Sequence, residues 1–129
     1  MNERIRKKLI QIARLDESPI SYPNLVYQMS LGLNLESNHE KNMLGEILNE
    51  ISTEEFKQGR PLLSSLVKIK PKGQGDTFFK MCEKVGLGQW KELKRDPDFL
   101  EKCRQECRDF WMNEENYEKH LYPQKEAVT

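Results

Sequence analysis

Asn38, His39, Lys41 and Asn42 crowd the start of what reads as a helix, and all four side chains can donate hydrogen bonds. Near the N-terminus of a recognition helix, side chains of this kind meet base edges in a DNA groove. A second set, Arg60, Lys68, Lys70 and Lys72, lies just before and within "PLLSSLVKIKPKGQG". These cations have the chemistry to neutralise phosphates, and the glycines let a backbone come close. Plainer readings stand beside both. Glu40, Glu46 and Glu50 share the helix and Glu54 and Glu55 follow, so phosphates are repelled unless those carboxylates turn away. Lysines on an edge strand also guard it against unwanted pairing.

Catalytic chemistry finds less to work with. Ser64 and Ser65 are nucleophile types, yet no base adjoins them and the two histidines, His39 and His120, lie far off in sequence. Cys103 and Cys107 stand one helical turn apart, but no Cys-x-x-Cys or His-x-x-x-His pair completes a zinc set. Small buried apolar cysteines are the simpler account. "GQGD" is too short for a phosphate-cradling loop, and Glu54–Glu55 and Glu114–Glu115 read as solvated charge. No enzyme activity, cofactor or metal is expected.

The chain has 129 residues, enough for one domain around one core. Hydrophobic residues make up 36% and charged residues 33%, so the surface is strongly solvated. The formal net charge is zero but unevenly spread: +4 over residues 1–14, −6 over 15–59, +4 over 60–80 and −2 thereafter. A neutral total leaves only local patches to attract nucleic acid. No apolar run is long enough to cross a bilayer, the start does not read as a secretory signal, and three cysteines make no disulfide framework. A cytoplasmic location without membrane contact is the expectation.

The elements that must position these residues are read from apolar spacing and caps. Ile5, Leu9, Ile12 and Ala13 predict a helix over residues 2–15. Ser21 caps a second helix with Pro23 in its first turn, and Gly32 is its predicted stop. Ser37 and Glu40 fit a capping box for a third, closed by Gly59–Arg60–Pro61. "LLSSLVKIK" reads as a strand and "PKGQG" as the turn of a hairpin. Asp76 or Thr77 caps a helix to about Val85, with a short strand at Thr77–Phe79 as the competing reading. Trp90 and Leu93 suggest a short helix. Asp96 and Pro97 open a last long one, with Phe99, Leu100, Cys103, Cys107, Phe110 and Trp111 on one face.

That order, helix, short extended piece, helix, turn, helix, strand, basic turn, is the order of a winged helix. The predicted class is mainly α (α+β). A winged-helix-like helix-turn-helix with a small β-hairpin and an added C-terminal helix forms a single domain over residues 1–118, and residues 119–129 form a flexible tail.

The stretches "ISYPNLVYQMSLGL", "MLGEILNEIS" and "GRPLLSSLVKIKPKGQGDTFF" resemble an uncharacterised family of small bacterial and phage-type proteins, over roughly residues 18–80. That family carries no established activity. More distantly, the same stretch is similar to the winged-helix domain of O6-alkylguanine-DNA alkyltransferases and alkyltransferase-like proteins, whose active-site motif is Pro-Cys-His-Arg. Ser64 stands near the position of that cysteine, within Leu62–Leu63–Ser64–Ser65. Without the thiol and the histidine, the resemblance implies the scaffold and not alkyl transfer.

Two functions follow as expectations. The first is a small accessory or regulatory protein that binds duplex DNA without catalysis, using the eight residues named at the outset. The second is a protein-interaction module, an adaptor or inhibitor of phage or defence type, working through its C-terminal helix.

Overall fold

A computed structural model describes residues 1–69 and 74–122. Helix α1 (Glu3–Arg14) starts on Asn2, whose side chain accepts from the Ile5 amide. A two-residue strand β1 (Ile20–Ser21) leads into α2 (Tyr22–Gln28), where Ser21 Oγ accepts from the Asn24 amide as its N-cap. Helix α3 (Asn38–Lys57) is followed by a 3-10 turn, Leu63–Leu66, and a two-residue strand β2 (Val67–Lys68). Then come α4 (Asp76–Lys84), α5 (Trp90–Arg95), α6 (Phe99–Met112) and α7 (Glu114–His120). The protein is mainly helical, with seven α-helices and one small sheet among the described residues.

Four helices end in the same way. After α1, α2, α3 and α4 one residue turns into the left-handed region and the next amide reaches back to the helix: Glu17 to Ile12, Leu31 to Val26, Arg60 to Glu55, and Leu87 to Cys82, all at 2.9–3.1 Å. This is the Schellman stop, which satisfies carbonyls the helix leaves open. Gly59 and Gly86 take the left-handed position at φ +75° and +96° without steric cost, whereas Asp16 and Ser30 take it at +54° and +52°. The stop of α2 is therefore Ser30, not the predicted Gly32.

The sheet differs from the expected hairpin. β1 and β2 pair in parallel, Ile20 opposite Val67 and Ser21 opposite Lys68. A parallel pair needs a long crossover, and α2 and α3 supply it. Within the predicted strand "LLSSLVKIK", Leu63–Leu66 instead form the 3-10 turn, enclosed by α1, α3 and α6, and Val67–Lys68 pair as a strand. A buried irregular segment must find partners for its backbone, and here side chains provide them. The Ser64 amide donates to Ser52 Oγ (2.9 Å) and the Leu62 carbonyl accepts from Cys107 Sγ (3.2 Å). Arg104 Nε reaches the Ser65 carbonyl (2.7 Å), and Gln74 Nε2 reaches the Ser64 carbonyl (2.9 Å) and that of Val67. The basic turn expected after β2, with Lys70 and Lys72, lies outside the described residues.

The main core joins α1, α2, α3, the 3-10 turn and α6, with Ile5, Leu9, Leu25, Leu44, Ile51, Leu63, Leu66 and Trp111 buried. A second cluster packs α4 and α5 against the first half of α6, around Phe78, Phe79, Met81, Cys82 and Cys103. The helix at 76–84 settles the choice against a strand at Thr77–Phe79. The final helix breaks at Asn113, whose side chain accepts from the Asn116 amide and starts α7. The predicted tail therefore begins too early. α7 runs to His120, and the carbonyls of His120 and Leu121 accept from Arg6 at 2.8 and 2.7 Å. Among the described residues no helix is long and apolar enough to cross a membrane.

Candidate functional site

The start of α3 carries the first sequence-predicted set. Ser37 Oγ accepts from the Glu40 amide (3.3 Å), but the Glu40 carboxylate accepts from the Asn34 amide (3.1 Å), so half of the expected capping box forms. That half-box holds the Glu40 charge back over the approach to the helix. Asn38, His39 and Asn42 are exposed and Lys41 is half-buried. Lys41 and Asn42 open on a polar pocket of about 310 Å³, with Glu46 and Asn49 one and two turns further along α3. Thr77 and Phe78 of α4 line it from the other side, and the buried Tyr22 and Ser64 complete its wall. Asn38 extends the Asn42 line by one turn, outside the pocket. His39, about 100° further round the helix, is not among its lining residues.

Several carboxylates of α3 have partners within the chain. Glu50 binds the N-terminal ammonium at 2.9 Å, and this contact raises the pKa of the amine. Glu55 is buried against Arg6 and Arg60. Glu46 is the acidic group that borders the pocket.

The second predicted set comes apart. Arg60 is only 5% exposed, and its Nε donates to Glu55 Oε2 at 2.8 Å. A guanidinium committed to an interior carboxylate is not available to a phosphate, so the role expected for Arg60 is corrected to a structural one. Lys68 is half-buried on β2.

The nucleophile types are locked in the interior. Ser64 Oγ lies 2.6 Å from Ser52 Oγ, and Ser65 Oγ lies 3.7 Å from Cys107 Sγ. Burial pushes the thiols of Cys82, Cys103 and Cys107 up to about 12, which keeps them protonated and poorly reactive. Among the described residues no group of three His, Cys, Asp or Glu side chains is placed to hold a metal ion.

A second concavity, about 680 Å³, runs between the end of α3 and α6. Phe56, Pro61, Leu87, Phe99 and Phe110 make it largely apolar, and Lys102, Glu106 and Asp109 of α6 give it a charged side. Phe56 and Leu87 are 37% and 39% exposed. The groove shares no lining residue with the polar pocket.

Reading the chain residue by residue missed Tyr22, Glu46, Asn49 and Thr77 as pocket residues. One signal was present: Asn42, Glu46 and Asn49 recur at four and seven residues, a polar stripe beside the apolar one, with Gly45 between them. No family model, no characterised protein and no solved structure matches this chain.

Proposed function

We propose that this is a non-enzymatic accessory or regulatory protein, which contacts duplex DNA with the N-terminal half of α3 and with Lys68. The observation that carries the reading is the pairing of Lys41 and Asn42 at the mouth of one polar pocket, on a helix whose acidic neighbours Glu40, Glu50 and Glu55 are held by other partners. Asn38 and Asn42 offer amides to base edges, and Lys41 and Lys68 offer charge to phosphates.

The test is a fluorescence anisotropy titration of labelled duplex DNA against salt concentration. Wild-type protein binds at low salt with a negative slope. Lys41→Glu and Lys68→Glu each weaken binding and flatten the slope by about 1, as expected when one phosphate is no longer neutralised. Absence of wild-type binding at low salt refutes the proposal.

A second reading, a protein-interaction module, is supported by the apolar groove beside α6. Solvent-facing aromatic and aliphatic side chains gathered in one concavity are typical of contact surfaces.

A further inference from the structure

The groove and the charges of α6 together identify a partner. Lys102 and Glu106 both line the groove and stand four residues apart on α6, so they share one helical line. Among the described residues neither has an ion-pair partner, whereas the buried Glu55 is matched by Arg6 and Arg60. Asp109, the third charged group on this side, already accepts from Gln105 Nε2 at 2.9 Å. One helix edge thus presents a single open cation and a single open anion about 6 Å apart along its axis.

Such an edge is complementary to itself. If two α6 helices lie antiparallel with a two-fold axis passing near residue 104, each Lys102 faces the other copy's Glu106, and both charges are answered at once. No like-charge pair falls on that axis, because Gln105 occupies the position beside it on the outer surface. The half-exposed Phe56 and Leu87 flank the same groove, so closing it removes apolar surface from water on both copies.

We infer that the α3–α6 groove is the docking face for a second copy of this chain, in a symmetric dimer held in register by reciprocal Lys102–Glu106 pairs. This face is separate from the polar pocket at the start of α3, so dimerisation and DNA contact stand or fall independently.

The experiment is sedimentation equilibrium on the full chain over a wide concentration range, with unfolding midpoints measured alongside. Wild-type protein shows a concentration-dependent monomer–dimer equilibrium that weakens with added salt. Lys102→Glu places two like-charged pairs across the axis and reduces association by at least tenfold. Lys102→Glu with Glu106→Lys reverses both partners, preserves the complementarity and restores association to near the wild-type level. Both residues lie on the groove's solvent-facing edge, so the unfolding midpoints stay close to wild type. A wild-type chain that remains monomeric at every concentration overturns the inference, whether or not another protein binds the groove. A dimer that Lys102→Glu leaves intact overturns it as well, as does a double variant that fails to recover while remaining folded.

Discussion

Arg60 Nε donates to Glu55 Oε2 at 2.8 Å inside the protein, across the stop of α3. The other carboxylate oxygen, Oε1, accepts from Arg6 Nε at 3.3 Å, and the remaining Arg6 nitrogens go to the His120 and Leu121 carbonyls. Arg6 also lies over the Trp111 ring, 5.5 Å from its centroid. Two buried guanidinium groups share this one buried carboxylate, and the half-exposed Glu3 carboxylate, 3.8 Å from Arg6, together with carbonyl dipoles and an aromatic face, offsets the remaining positive charge. The cluster ties α1 and α3 to the chain's last described turn.

Removing Glu55 strands both guanidinium groups, whereas removing Arg60 leaves Glu55 paired with Arg6. Glu55→Ala is expected to lower unfolding free energy by about 3–5 kcal/mol, the usual cost of an uncompensated buried charge, and Arg60→Ala by about 1–3 kcal/mol, the cost of lost buried hydrogen bonds. Urea denaturation reads this as a lower midpoint. Lys68→Glu, on the half-buried strand edge, moves the midpoint by much less, which separates the structural cation from the proposed contact residue.

Ser30 holds a conformation that suits glycine better. At φ +52° its Cβ crowds the backbone, at a cost of about 1 kcal/mol. Ser30→Gly is expected to raise the melting temperature by relieving that cost, partly offset by the greater freedom of glycine in the unfolded chain. The reverse change, Gly59→Ala at φ +75°, is expected to lower it. If both variants shift stability in the same direction, the proposed role of the left-handed stops is wrong.

Gly45 separates stability from binding. A Cβ there would stand 3.6 Å from Tyr22 Oη, an ordinary contact, so alanine fits within α3. Gly45→Ala is expected to stabilise the helix by up to about 1 kcal/mol. The added methyl group also narrows the polar pocket, so a calorimetric gain should accompany weaker DNA binding in the anisotropy assay.

Alkaline pH tests the buried thiols. Burial holds Cys107 up at about 12 in the folded protein, against about 8.5 in an unfolded chain. The fold therefore favours the protonated thiol. That contribution is whole below about pH 8.5 and is lost as pH rises towards 12. Between these limits wild-type stability should fall relative to Cys107→Ala by up to about 1.4 kcal/mol per pH unit. Parallel stability curves for the two proteins between about pH 9 and 11 would contradict the burial effect.

Much of the helical frame was legible because its causes are local. Ser21 and Ser37 cap as their types allow, and the stripe Ile5, Leu9, Ile12, Ala13 is buried as its spacing requires. The 3-10 turn was not legible. Its branched apolar run has the composition of a strand, and its partners, Ser52, Gln74, Arg104 and Cys107, stand up to 45 residues away from it. Arg60 escapes sequence reasoning for a similar reason. A cation between glycine and proline looks exposed, and Glu55 looks like one more solvated carboxylate in an acidic run. Only the Schellman stop, which brings the Arg60 amide within 2.9 Å of the Glu55 carbonyl, folds the two side chains together. At the candidate site, the residue types of α3 were readable, whereas the pocket needed α2 and α4 to bring up Tyr22 and Thr77.

The enclosed turn at Leu63–Leu66 has a consequence for how the molecule comes apart. Its amides and carbonyls are answered from α3, α6 and the segment before α4, so neither α3 nor α6 can peel away without exposing it. Hydrogen exchange at the Ser64 amide should proceed only through global opening, as slowly as in the centre of α3, although the residue belongs to no long helix or sheet. A fragment ending before α6 would lack Arg104 and Cys107 and should not hold this winding, so the chain behaves as one cooperative body rather than a small domain with a detachable appendage.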